Sequence, residues 1–172
     1  VLPDRWGEPW APMSAEEFEG SCLGRGGAGE IVVSGPQVLT GYLDGVGDEV
    51  TKVRAGGQVW HRTGDAGYLD EAGWIWLLGR CAARHRHADG RVTYPLSIEA
   101  AVRARIPGLR CAALSTGGDL VLVVEADAAG GVETVAREIG CDRVVRIPRL
   151  PMDRRHEAKI DYPALRRLMK DA

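Results

Sequence analysis

The sequence predicts an α+β fold in two successive parts: a β-rich piece over residues 1–80, then a small α+β domain over residues 84–172, joined at residues 81–83. Three observations carry this expectation. Short β-prone runs broken by Gly and Pro fill the first part, while from residue 83 the pattern turns to apolar residues at helical spacing alternating with strand-like runs. Charge is also divided, with 6 Lys+Arg against 12 Asp+Glu in residues 1–82 and 16 against 12 in residues 83–172. The 23 glycines favour turns and short elements, and the hydrophobic share of 45% is enough for packed cores.

Along the chain, residues 1–29, with Pro3, Pro9, Pro12 and a glycine cluster, read as irregular. Glu30–Ser34 reads as a strand ended by Gly35-Pro36, and residues 44–57 as a polar, Gly-rich loop. Val59–Arg62 reads as a second strand, Thr63-Gly64-Asp65 as a turn, and Gly67–Asp70 with Gly73–Leu78 as a hairpin across Glu71-Ala72. Residues 84–91, RHRHADGR, read as a polar loop. Ile98, Val102 and Ile106, four apart, predict a short amphipathic helix with Ser97 as N-cap and Pro107-Gly108 as stop. Cys111–Ser115 and Leu120–Glu125 predict an antiparallel pair across Gly117-Gly118. A helix over Val132–Ile139 ends at Gly140, and Arg143–Ile147 predicts a third strand. Leu150–Ile160 reads as a basic loop, and Pro163 opens a last helix containing Leu165, Leu168 and Met169.

Composition excludes several classes. The cysteines Cys22, Cys81, Cys111 and Cys141 form no C-x-x-C pair, which argues against a zinc knuckle or a thioredoxin motif. His85, His87 and Asp89 have H-x-H-x-D spacing, but no second ligand cluster supports them, so no metal site is expected. The five tryptophans do not interleave with basic residues, so no nucleic-acid partner is expected. Neither a signal peptide nor an apolar run of membrane length is visible, and the expected compartment is the cytoplasm.

Three stretches can carry chemistry. In His61-Arg62-Thr63-Gly64-Asp65-Ala66-Gly67-Tyr68, a carboxylate on a Gly-bounded segment can accept hydrogen bonds from paired ribose hydroxyls, and glycine keeps the backbone out of a ligand's way. In Gly73-Trp74-Ile75-Trp76-Leu77-Leu78-Gly79-Arg80, a strand ends on an arginine at the boundary, within reach of a phosphate or ribose. In Leu150–Ile160, Lys159 can bring a mobile cation to a developing oxyanion. Each also has a bland reading: a turn aspartate, a linker arginine and a solvated basic loop.

Taken in order, these stretches resemble the adenylate-forming superfamily of acyl-CoA synthetases, luciferases and peptide-synthetase adenylation domains. The T-G-D-x-G-Y-x-D-x-x-G…G-R run carries the resemblance. Gly29-Glu30-Ile31 through Gly35-Pro36 and Gly41-Tyr42 agree with it upstream, and Gly90, Pro95 and Ile98-Glu99 downstream. Ala88-Asp89-Gly90, Pro95 and His156–Ile160 look most like the olefin β-lactone synthetase branch.

The resemblance implies that residues 1–80 are the last, distorted-barrel piece of a large adenylation domain. Residues 84–172 would be a mobile lid with a mostly antiparallel three-stranded sheet flanked by helices, rotating about a hinge at 81–83. It implies that Asp65 binds the ATP ribose, that Arg80 and Tyr68 belong to the same nucleotide site, and that Lys159 assists carboxylate attack on the α-phosphate. ATP/AMP and Mg2+ would be the cofactors, the Mg2+ held mainly by an upstream region. The expected substrate is a small carboxylic acid or fatty acyl group; coenzyme A, a carrier protein or an internal hydroxyl closing a lactone is the acceptor.

Four positions depart from the family pattern. Ala82 stands at the usual hinge Asp or Lys, Ser97 where Glu is common, Ala158-Lys159 in place of Gly-Lys, and the 84–91 loop is rich in Arg and His. The family's Ser/Thr/Gly-rich phosphate loop and its Y-G-x-T-E motif do not occur in these 172 residues. The expectation is therefore the C-terminal part of an AMP-forming acid ligase, inactive alone and completed by an upstream adenylation domain. The alternative is a noncatalytic or in-trans lid module.

Overall fold

A computed structural model describes residues 1–128, 130–152 and 160–169. The chain divides into two compact units, Val1–Ala82 and Ala83–Ala172.

The first unit is built on one open sheet. Its strands are β1 (Gly29–Val33), β2 (Lys52–Ala55), β3 (Gln58–Leu69) and β4 (Ile75–Arg80). β3 is the hub: β1, β2 and β4 all pair antiparallel with it, and among the described residues the sheet does not close into a barrel. β2 and β3 form a hairpin turned at Gly56-Gly57. The core gathers Leu2, Phe18, Val53 and Ala55, with Phe18 stacked on Trp60 at 4.6 Å between ring centroids.

Two stretches read as irregular hold structure. Helix α1 (Ala15–Ser21) starts at Ser14, whose hydroxyl accepts from Glu17 N while Glu17 Oε2 accepts from Ser14 N. That reciprocal capping box is written in the sequence as Ser-x-x-Glu, and it outweighs the Pro-rich context. Helix α2 (Asp48–Thr51) and β2 lie in the stretch expected to be loop, and Lys52 is buried with its ammonium on Leu39 O at 2.7 Å.

Thr63-Gly64-Asp65 is not a turn between strands. It lies inside the twelve-residue β3 as a bulge, where pairing jumps from Val32↔Arg62 to Glu30↔Ala66, so three residues face the single Ile31. Gly64 sits at φ +71°, a conformation costly for any residue with a Cβ.

The second unit is a three-stranded sheet covered on both faces. Strands β7 (Cys111–Thr116) and β8 (Asp119–Glu125) pair antiparallel across Gly117-Gly118, while β9 (Arg143–Ile147) pairs parallel to β8. Helix α4 (Val132–Ile139) supplies the crossover that a parallel pairing needs. Alternation sorts the side chains. Cys111, Ala113, Leu120, Leu122 and Val124 pack with Ile98, Val102, Val132 and Ala136 from α3 (Pro95–Arg105) and α4. Ala112, Leu114, Val121 and Val123 pack with Leu150, Leu165 and Met169 at the α5 (Tyr162–Leu168) side. Burial on both faces explains why these strands read as continuous apolar runs.

The α3 cap differs from expectation. Tyr94 is the N-cap, Pro95 fills the first turn, and Ser97 donates its hydroxyl to Tyr94 O at 2.6 Å. Proline has no N–H to satisfy and a fixed φ suited to the first turn, which favours a helix start at Pro95 rather than after Ser97. The 84–91 loop begins as a short ladder, β5 (His85–Arg86) on β6 (Val92–Thr93).

Candidate functional site

The β3–β4 pair carries three of the four residues singled out in the sequence and brings two of them, Asp65 and Arg80, into contact. Asp65 faces Arg80 across the ladder, and Arg80 Nε lies 3.1 Å from Asp65 Oδ1. Arg80 also reaches Thr63 O at 3.3 Å. The Asp65 side chain is 31% exposed and the Arg80 side chain 68%. The carboxylate is thus oriented yet open to a ligand. Tyr68 pairs with Trp76 on the same two strands, the rings stacked 6.4 Å apart. Lys159, the fourth residue, lies outside the described residues.

Asp65 is held from its backbone. Its N–H donates to Thr63 Oγ1 at 3.1 Å, and that hydroxyl donates to Ile31 O at 2.8 Å. Below the bulge lies a buried ion pair that sequence reading did not single out. Glu30 Oε2 accepts from Arg62 Nε at 2.8 Å and Nη2 at 2.6 Å, both side chains being at most 1% exposed. Glu30 and Arg62 each lie in a stretch that carries the family resemblance, but 32 positions apart, with nothing in the sequence to pair them.

Gly67 lets the backbones close in, since a Cβ there would lie 2.6 Å from Trp76 O. Asp70 accepts from Trp74 N and Trp76 Nε1, each at 2.8 Å, and these bonds hold its carboxyl below the usual carboxylate range, the Trp76 bond foremost. Trp74, just before β4, and Ile75, Trp76 and Leu77 within it are exposed in succession.

The H-x-H-x-D stretch is satisfied in other ways. His85 Nδ1 bonds Ser115 Oγ at 2.9 Å, His87 Nε2 bonds Thr93 Oγ1 at 2.8 Å, and Asp89 pairs with Arg91 Nε at 2.6 Å. Among the described residues no group of three or more His, Cys, Asp or Glu could hold a metal ion. No described helix is long and apolar enough to cross a membrane.

A second buried carboxylate, Glu99, anchors the other unit. It accepts from Ala113 N at 3.0 Å, Arg103 Nη2 at 3.0 Å and the Tyr162 hydroxyl. Burial foremost, then the Glu99 carboxylate, pushes the Tyr162 hydroxyl above its ordinary pKa.

No protein-family model matches the chain. The olefin β-lactone synthetase of Xanthomonas campestris pv. campestris is 32% identical over 162 residues, covering 80% of this chain and 29% of that protein. A putative acyl–CoA ligase, YdaB of Bacillus subtilis, is 38% identical over 98 residues, 57% of this chain and 18% of that protein. ATP-bound MatB from Rhodopseudomonas palustris superposes with a TM-score of 0.69 at 27% identity, over 87% of this chain and 32% of that one. These relatives form a class of acyl–CoA ligases and kindred synthetases. Over most of its length the chain resembles the C-terminal region of adenylate-forming enzymes. It spans less than a third of the length of these relatives.

Proposed function

We propose that the chain is the C-terminal part of an ATP-dependent acid ligase, and that Asp65 and Arg80 form its share of the nucleotide site. The observation that carries this reading is the half-open Asp65 carboxylate on a glycine bulge, with Arg80 on one oxygen. An ionised carboxylate so placed accepts strong hydrogen bonds from vicinal ribose hydroxyls. Arg80 restrains the carboxylate's rotation and adds positive charge beside the nucleotide. Tyr68, stacked on Trp76, stiffens the same strand pair.

In the reaction a substrate carboxylate oxygen attacks the α-phosphorus of ATP, the bond to the β-phosphate oxygen breaks, and pyrophosphate leaves. Lys159 places its ammonium against the charge gathering on the reacting oxygens. Coenzyme A, a carrier protein or an internal hydroxyl then takes the acyl group from acyl-AMP. Phosphate cradling and Mg2+ ligation fall to an upstream adenylation domain, in the same or a separate chain. The exposed Trp74–Leu77 strip supports such a partner, because a run of large apolar side chains is seldom left to water. The cytoplasm, which supplies ATP, is the expected compartment.

The test is exchange of labelled pyrophosphate into ATP by the product of the complete reading frame that encodes residues 1–172. It is run with a panel of short- to long-chain carboxylic acids. Carboxylate-dependent exchange, strongly depressed in Lys159→Ala, is the expected result. Absence of exchange with every acid, together with co-purification of a separate nucleotide-binding chain that restores it, would favour the in-trans lid.

A further inference from the structure

We propose that Glu30 and Arg62 are positioning residues for nucleotide recognition, fixing the Thr63–Asp65 bulge so that the Asp65 carboxylate is presented at the geometry a ribose diol requires. The proposal rests on the reading of Asp65 given above.

Glu30 divides its carboxylate between two tasks. Oε2 takes both Arg62 donors, while Oε1 accepts from Gly64 N at 3.2 Å, the amide immediately before Asp65. Arg62 spends its remaining donors on backbone, with Nη1 on Glu8 O at 2.7 Å and Nη2 on Arg5 O at 3.0 Å. The same 5–8 segment carries Trp6, whose ring closes over Gly64 so tightly that a Cβ there would lie 2.8 Å from Cζ3. Three separate segments thus converge on one backbone position. A buried ion pair is a poor source of net stability, and well-packed apolar residues often replace one without loss. What apolar residues cannot supply here is the acceptor for Gly64 N and the fork that clamps residues 5 and 8. The pair's distinctive contribution is therefore geometric, and it acts through Asp65.

A ribose-deficient nucleotide isolates that contribution. In the complete reading-frame product, dissociation constants for ATP and for 2′,3′-dideoxy-ATP are measured by calorimetry. Wild type, Asp65→Asn, Glu30→Gln, Gly64→Ala and the Glu30→Gln/Asp65→Asn double variant are compared. Wild type should prefer ATP by roughly tenfold, the worth of hydrogen bonds to a charged acceptor. Asp65→Asn should erase most of that preference. Glu30→Gln and Gly64→Ala should each reduce it at least threefold, leaving dideoxy-ATP affinity nearly unchanged. The double variant should be no worse than Asp65→Asn alone, because both changes act on one interaction. Gly64→Ala keeps both charged side chains and strains the same bulge from its backbone, so it gives a second reading of the bulge should Glu30→Gln fold poorly. Retention of the ribose preference in Glu30→Gln and Gly64→Ala, with its loss in Asp65→Asn, overturns this proposal alone. A wild type that does not distinguish the two nucleotides overturns the Asp65 reading and this proposal with it.

Discussion

Asp65 and Arg80 stand opposite each other on adjacent strands, and the guanidinium Nε meets the carboxylate Oδ1 at 3.1 Å. Fifteen residues of sequence separate them, and the β3–β4 hairpin removes that distance. With the Arg80 side chain 68% exposed, the pair does little for stability. Arg80→Ala should change unfolding free energy by less than about 1 kcal/mol. ATP affinity, by contrast, should fall several-fold and lose part of its salt dependence, measured by calorimetry at two ionic strengths.

Glu99 tests the opposite regime. It is 3% exposed and takes bonds from Ala113 N, Arg103 and Tyr162. Glu99→Ala should destabilise its unit by about 2–4 kcal/mol, since a buried amide and hydroxyl lose their acceptor. Urea unfolding followed by circular dichroism measures this, and a change below about 1 kcal/mol would show that the network is not held together by Glu99.

The cysteines should label unevenly. Cys22 is exposed; Cys81, Cys111 and Cys141 are buried. Burial pushes the Cys111 and Cys141 thiols up to about 11 each, so thiolate is scarce at neutral pH. Brief iodoacetamide treatment at pH 8, read by peptide mass spectrometry, should modify Cys22 and spare the other three until denaturant is added.

His85 gives a pH dependence. Burial foremost, and then the neighbouring His87, lowers its pKa, while Asp142 and Asp119 oppose the shift. The unfolded chain therefore takes up a proton near the ordinary histidine value, about 6.5, before the folded chain does. Its contribution to stability is present above that pH and is lost as pH falls through the folded-state value. The second unit should unfold at lower urea at pH 5.5 than at pH 7.5, and His85→Gln should flatten the difference.

Legibility in the sequence followed local chemistry. The two-sided strands β7 and β8, helix α4 with its Gly140 stop, and the Asp65 and Arg80 candidates all announce themselves by runs, punctuation or motif. The parallel join of β9 did not, because strand direction depends on the crossover and not on the strand's own residues. Thr63-Gly64-Asp65 looked like a turn because glycine with left-handed backbone serves bulges and turns alike. The Glu30–Arg62 pair stayed hidden since its partners lie 32 residues apart and meet only through β1–β3 register. Helix α1 was legible in its Ser14–Glu17 box and was masked by the prolines around it.

The central claim is that Asp65 holds the ATP ribose in an acid-activating ligase. Pyrophosphate exchange with ATP varied at fixed carboxylate, and then the reverse, tests it most directly in Asp65→Asn. The KM for ATP should rise roughly tenfold while the KM for the carboxylate stays within about twofold of wild type. An unchanged KM for ATP, or an equal rise in both constants, would contradict the account.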